Sequence, residues 1–434
     1  MSPAGWLGSR GVSRRRFLMG SGATLAAAGA AVGIELGAQA QQPSQDQSPV
    51  SQPRLPLVDV GEQPSGLPER QHAWNATLTR DENGNPVAPR YDRLLFFDVR
   101  GHPTSRHARI MEAALRSLER RYPWGPRGLL FTAGWGHRYF TALGIRSPVP
   151  TARALSDFEL PAIDNYALCL HLAADDEARL REIEAALLHG APLQGADGPL
   201  SVGDALVWRD TRTGFVGTGL PAVHQNTGGI PGGDPVTAGA PLFMGFKSSL
   251  RRNQATEDAI TIPHGPFVGG TTMHVSYMRL RLDSWYGDLT DRERVARMYA
   301  PQVTPAEVPD LTIDAESDPQ RLGQAINRYG VIGHAQTSAR ARRHGKPLIL
   351  RRDFNTIDGG QAGLHFVSLQ RTIDDFVTTR TAMNASSAQL QNPAITDTVN
   401  NGINEFIFVL RRANYIVPRR RHRSFPLLGN AADV

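Results

Sequence analysis

Leu348-Ile349-Leu350-Arg351-Arg352-Asp353-Phe354-Asn355, a turn at Asp358-Gly359-Gly360, and then Gly363-Leu364-His365-Phe366-Val367-Ser368-Leu369-Gln370 decide how this chain folds. The second run reads as a buried strand rich in apolar residues, and the glycine pair before it as a turn. A helix from about Ile373 to Asn384 follows, and Glu405-Phe406-Ile407-Phe408-Val409-Leu410 supplies a last strand. Immediately upstream, Tyr329-Gly330-Val331-Ile332 leads into Gly333-His334-Ala335, and a basic loop from Arg340 to Pro347 returns to the arginine pair. The segment thus brings an imidazole and a strand-end guanidinium close together in sequence.

The same order of elements recurs further out. Met273 to Leu282 alternates like a strand, and Thr290 to Ala300 reads as a helix with Thr290 and Glu293 at capping-box spacing. In the first half, Tyr91 to Arg100 is a strand around Leu94-Leu95-Phe96-Phe97. Ser105 to Arg121 places Ile110, Met111, Ala114, Leu115 and Leu118 on one helical stripe. Gly128 to Gly134 and Tyr166 to Ala173 are two more strands, and Asp175 to Leu188 is a helix with Leu180, Ile183 and Leu187 on one side. Asp175 and Asp176 suit its N-terminus. The expected class is α+β: two ferredoxin-like units forming a dimeric α+β barrel-like fold, with a cavity between sheet and helices. The organisation reads as a signal over 1–40, a Pro/Gln/Ser-rich linker over 41–88, a first ferredoxin-like half over 89–195 and a second over 196–430. Residues 190–272, rich in Gly, Pro and Thr, read as irregular.

The 434 residues, 40% of them hydrophobic, can bury a sizeable core. The formal charge of +6 falls to +3 once Arg10, Arg14, Arg15, Arg16 and Glu35 are set aside, too mild to argue for nucleic acid. A single cysteine, Cys169, excludes an intramolecular disulfide and lies in an apolar run. Ser13-Arg14-Arg15-Arg16-Phe17-Leu18-Met19, an Ala/Gly-rich run to Leu36, and Ala38-Gln39-Ala40 make up a twin-arginine export signal with a cleavage site. Such export implies folding before crossing, engagement of the twin-arginine translocase, and a periplasmic or extracellular destination, with a membrane tether if the signal stays uncleaved.

Thirteen histidines compete for any ligand role. His274 and His365 sit within strands, where a hydrogen-bonded core histidine is the default reading. His137, His224 and His264 lie in glycine-rich loops and are candidates for lining a pocket. No HExxH spacing and no phosphate-binding loop occur. Arg419-Arg420-Arg421-His422-Arg423 reads as a solvated basic tail.

Several of these pieces, in this order, resemble the dye-decolourising peroxidase (DyP-type) family of haem proteins over roughly residues 90 to 420. Gly128-Leu129-Leu130-Phe131-Thr132-Ala133-Gly134-Trp135-Gly136 is similar to that family's LLFTxGxG segment. Met244-Gly245-Phe246-Lys247 is similar to the start of its GFKDG motif. Gly269-Gly270-Thr271-Thr272 leading to Trp285, and Tyr415-Ile416-Val417-Pro418, resemble two further segments. The resemblance implies haem b as cofactor and His334 as the iron ligand. It implies Arg351 as the distal arginine, and Gly245, Phe246, Lys247 and Ser248 as the loop over the cofactor. The family's aspartate in that loop is replaced by Ser248, whose hydroxyl cannot act as a base near neutral pH. Asp353, two residues after Arg351, is a candidate replacement, and so are Glu257 and Asp258.

The function implied is an exported haem peroxidase that reduces hydrogen peroxide while oxidising a small organic reductant. The rival is a non-catalytic haem-binding or haem-handling protein that kept the fold and lost the acid; a third option is a barrel that binds no haem. The oligomeric state stays open at this stage, with a homo-oligomer among the options.

Overall fold

Runs buried along nearly their whole length, such as Tyr91–Val99, Leu130–Gly136 and Leu168–Ala174, mark strands that carry two apolar faces. This computed structural model describes residues 64–198, 200–246, 253–311 and 318–428. The expected signal, residues 1–40, and the first part of the expected linker lie outside the described residues. In the first half, strand β1 (Tyr91–Val99) leads into helix α1 (Ser105–Arg121), then β2 (Leu130–Gly136), β3 (Leu168–Ala174), helix α2 (Glu177–His189) and β4 (Leu206–Phe215). The second half runs β5 (Thr271–Leu280), α3 (Asp291–Met298), α4 (His334–Ser338), β6 (Ile349–Arg351), β7 (Phe354–Thr356), β8 (Gly363–Gln370), α5 (Ile373–Ala382) and β9 (Ile407–Val417).

Local chemistry explains the helix ends. Asp176 accepts hydrogen bonds from the Ala178 and Arg179 amides at the start of α2. Thr290 and Glu293 form the reciprocal capping box at the start of α3, worth about 1 kcal/mol at such a site.

The pairing order in the first half is β4-β1-β3-β2, and in the second β9-β5-β8-β7, all antiparallel. This fourth-first-third-second order is the ferredoxin-like arrangement in both. The two sheets join edge to edge at both ends. Trp135 and Gly136 of β2 pair with Ile416 and Tyr415 of β9, and Asn355 of β7 pairs with Phe215 of β4. The result is a closed eight-stranded α+β barrel, which leaves neither sheet with an unpaired edge along the ring.

Strand periodicity then assigns the faces. Leu94, Phe96, Cys169, Met273, Val275, Phe354, Val367 and Tyr415 fill the barrel interior. Leu95, Phe97, Phe131, Leu170 and Leu172 face outward and are covered by α1 and α2 through Met111, Leu115, Leu118, Leu180 and Ile183. Fully burying one such Leu or Phe stabilises the fold by about 1.5–3 kcal/mol.

Three regions differ from the reading of the sequence. The segment expected to be irregular, 190–272, contains the ten-residue strand β4, whose exposed Trp208 and Arg209 and half-buried polar residues mask its strand pattern. The described part of the expected linker, from residue 64, is packed: Trp74 is 1% exposed, and the buried Gln71 side chain bridges the Ala133 amide and the Pro418 carbonyl. The basic tail is not solvated. Arg420 and Arg423 are buried against Glu119, and Arg423 also against Glu112 on α1. Burial pushes the Glu119 carboxyl up, but Arg423 and Arg420 outweigh it and hold it below the usual carboxylate range.

Candidate functional site

The outward face of the second sheet is not covered in the way the first is. Between it and α4 and α5 lies a largely apolar cavity that opens to solvent, a concave site of the kind that holds organic ligands. Met278, Leu280, Leu364, Ile407 and Val409 form the sheet side, and Phe246, Met298 and Phe376 close the walls.

His334 enters this cavity from the first residue of α4. Its position is fixed by close backbone approaches. A Cβ on Gly333 would lie 1.7 Å from the Tyr299 carbonyl oxygen, so only glycine fits there. Gly402, at φ +53°, sits against the His334 backbone, and its amide donates to the Ile332 carbonyl at 2.8 Å. Burial, and then the charges of Arg351 and Arg380, hold the His334 imidazole down at about 3, so the ring is neutral at any ordinary pH. Its Nδ1 is buried with no hydrogen-bond partner among the described residues, which leaves Nε2 as the nitrogen open to the cavity.

Arg351 and Asp353 reach the same cavity from the break between β6 and β7. The period of two decides which residues do so. Arg351, Asp353 and Asn355 face the cavity, whereas Arg352 and Phe354 turn the other way. Arg352 stacks on Trp74 at 3.7 Å, donates to the His72 carbonyl at 2.6 Å and pairs with Glu257 at 3.5 Å. Burial brings the pKa of Arg352 down to about 9, against the pull of Glu257 and Asp92. Asp353 has no hydrogen bond or ion pair among the described residues, so its carboxylate is committed to nothing else there. The Arg351 amide donates to Gln254 Oε1 at 2.6 Å, which fixes the strand end.

The loop over the mouth is held by three side chains that sequence reading passed over as site residues. Asn355, fully buried, accepts from the Phe243 amide at 2.8 Å and donates to the Phe215 carbonyl at 3.0 Å. Tyr286 donates to the Phe243 carbonyl at 2.7 Å, and Trp285 Nε1 to the Met244 carbonyl at 3.0 Å. Gly245 adopts φ +86° beside the Tyr286 hydroxyl, and Phe246 then projects into the cavity. Lys247 and Ser248 lie outside the described residues. For Trp285, its place in a family-like segment was a signal; for Asn355, adjacency to Arg351 was the only one.

Other candidates fall elsewhere. Glu257 accepts from the Trp74 and Asn75 amides, and Asp258 pairs with Arg70 at the surface. Neither borders the cavity, so both are set aside as replacements for the missing acid. His274 pairs with Asn414 and Ser276, and His365 with Asp358, as core histidines do. His137 and His264 are exposed and His224 stacks on Phe215; none lines the cavity.

Among the described residues no three His, Cys, Asp or Glu side chains converge as a metal cluster. A neutral, otherwise uncommitted imidazole at an apolar cavity instead fits a flat macrocycle whose metal takes a single protein nitrogen. The residues present therefore fit a haem.

A family model described as "Family of unknown function (DUF7405)" matches residues 89–419. No curated protein matches. Among solved structures, ferric DtpA from Streptomyces lividans is 20% identical, with TM-score 0.51, covering 82% of this chain and 94% of its own. A protein from Shewanella oneidensis assigned to the dyp-type peroxidases is 17% identical, with TM-score 0.50, covering 79% of this chain and 95% of its own. At these identities the likeness establishes the fold, and the fold is that of the dye-decolourising peroxidases.

Proposed function

The chain belongs to DUF7405, a family of unknown function, and from that premise we propose that it is an exported haem-dependent peroxidase. It would reduce hydrogen peroxide at the expense of a small organic reductant. One observation carries the reading: a neutral, half-buried imidazole and an arginine–aspartate pair face one apolar cavity. When bound, haem b supplies the iron at which peroxide is reduced and from which the organic reductant is oxidised. His334 would hold the metal through Nε2, and burial around it keeps competing protons off the ring. Phe246 and the loop pinned by Asn355, Tyr286 and Trp285 exclude water from the face they cover. Gly245, Lys247 and Ser248 belong to the same loop in sequence. Arg351 stabilises negative charge where it develops on oxygen. Asp353 takes the role left by the serine at position 248 and carries the peroxide proton between oxygens.

The second reading, a haem-binding or haem-handling protein without turnover, is supported by Ser248 and by His334 Nδ1. A ligating histidine normally donates its second N–H to a carboxylate, carbonyl or water, which raises its basicity. This one has no such protein partner among the described residues.

The deciding experiment loads the purified chain with haem. The wild type shows a Soret band that His334→Ala loses or shifts, and an unchanged spectrum in that variant sinks the ligand assignment. Turnover at millimolar peroxide then separates enzyme from haem handler. For export, through the twin-arginine translocase to the periplasm or the outside, Arg14→Lys with Arg15→Lys leaves the protein in the cytoplasm; normal export of that pair would refute the signal.

A further inference from the structure

One end of the cavity carries more positive charge than the protein neutralises. Arg380 and Arg412, 6% and 2% exposed, both line it and both lean on one buried carboxylate, Glu159. Glu159 Oε1 accepts from Arg380 Nε at 2.9 Å and from a second Arg380 nitrogen at 2.5 Å. Its Oε2 accepts from Arg412 at 2.8 Å and from the Leu155 amide at 3.1 Å, so neither oxygen is left over. Their other hydrogen-bond partners among the described residues are neutral. Asn384 and Ser156 accept from Arg380, while Ser276 and His274 lie within 3.4 Å of Arg412. Burial, and then Arg412, hold His274 well below its usual range, so it adds no charge of its own and takes none away. Arg412 Nε is buried with no hydrogen-bond partner among the described residues. Two guanidiniums over one carboxylate leave one buried positive charge, which is costly unless something anionic meets it. Among the described residues the only acidic side chain in the cavity lining is Asp353, at the Arg351 end.

We propose that Arg412 and Arg380, set by Glu159, form a carboxylate-binding subsite of the cavity that takes an acidic substituent of the flat ligand held there. None of the three lies in the segments that carry the family resemblance. The assignment rests on the haem reading for the identity of that ligand. It adds which edge of the macrocycle is anchored, and by what. Arg412 also packs against Phe376, whose ring stacks on His274 at 3.6 Å, so the guanidinium is held in place before a ligand arrives. The subsite would thereby favour a ligand that presents a carboxylate at this end of the cavity.

The test uses metal-free protoporphyrin IX, which cannot bond to His334 through iron, and its dimethyl ester, which lacks the charge. Both are titrated into the purified full chain in the same detergent and followed by porphyrin absorbance and tryptophan quenching. The diacid is expected to bind about tenfold to a hundredfold tighter than the diester, the worth of one charge-assisted hydrogen bond. Arg412→Met removes most of that preference and Arg412→Lys keeps part of it, with circular dichroism reporting folding. Should Arg412→Met not fold, the wild-type diacid–diester ratio decides by itself. If haem binds through His334 while diacid and diester bind equally, or neither binds, the subsite is overturned and the haem reading stands. If haem fails to bind as well, both fall together.

Discussion

Both halves of the barrel run their strands in the same order, yet only the first is filled. There, α1 spans seventeen residues and α2 thirteen, and their apolar stripes cover the sheet without a break. In the second half the corresponding cover is α3 of eight residues, α4 of five and α5 of ten. Its second strand is also interrupted, β6 and β7 being separated by Arg352 and Asp353. Short helices cannot carry a long apolar stripe, and a broken strand can aim charged side chains at a space an unbroken one would seal. The difference teaches that the repeated topology sets stability, while the departures from it make the site.

The largest effects are expected where the second half departs most. Asp353→Asn should slow the reaction with peroxide about a hundred- to ten-thousandfold, the usual worth of a positioned acid–base group. Arg351→Leu should slow it about a hundred- to a thousandfold, the cost of losing one preorganised charge stabiliser. Neither should move the urea midpoint of unfolding much. Stopped-flow mixing with peroxide measures the first, equilibrium unfolding the second. A normal rate in Asp353→Asn would dissolve the contrast, since the broken strand would then carry no chemistry.

The first half should answer in stability alone. Arg423→Ala leaves Glu112 and Glu119 short of a partner in the interior, a loss of about 3–5 kcal/mol in denaturant unfolding. Haem spectra of the folded fraction should stay as in the wild type. The pH dependence follows in sign. Despite burial, Arg423 and Arg420 hold the folded Glu119 pKa below its ordinary value of 4.5. Its contribution is complete above about that pH and is lost as the pH falls through the folded value. Arg423→Ala should therefore flatten the acid limb of the stability curve. A limb as steep as in the wild type would place the acid-sensitive pair elsewhere.

How much of this was legible in the sequence follows the same division. Strands such as Leu94–Phe97 and the helix from Ser105 to Arg121 announce themselves by period and capping, and they form as read. His334, Arg351 and Asp353 were picked from order and resemblance, and the fold brings them to one cavity. Residues whose role depends on distant chain could not be read. Gly402 matters because it abuts His334, and Glu159 because it meets Arg380 and Arg412, more than two hundred residues away. Arg423 looked solvated because a run of cations usually is; its carboxylate partners lie on α1, on a helix face that local pattern assigns to solvent.

The sharpest test adds the same kind of thing to both halves: volume. In the first half, a methyl group on Gly134 of β2 would sit 2.8 Å from Met273 Cε and 3.0 Å from Tyr415 Cβ. The Met273 methyl is the far end of a flexible side chain and can give, but Tyr415 Cβ is fixed to its strand, and both side chains are packed in the barrel interior. Gly134→Ala should therefore cost about 1–3 kcal/mol, as overpacking usually does. In the second half, Ala341 lines the cavity just beyond α4 and packs beside Leu348, Ile349 and Phe376. Ala341→Phe can extend into open space and bury its ring against those side chains, so the gain in burial offsets what strain it brings. The unfolding midpoint should move by no more than about 0.5 kcal/mol in either direction, the range of a substitution that breaks nothing. The price appears in binding: the ring occupies part of the space a macrocycle needs, so haem uptake followed by absorbance should weaken while the fold stands. Should Ala341→Phe destabilise the chain as much as Gly134→Ala does, the second half is packed like the first and the cavity closes in solution. Should it bind haem as the wild type does, the ligand lies elsewhere.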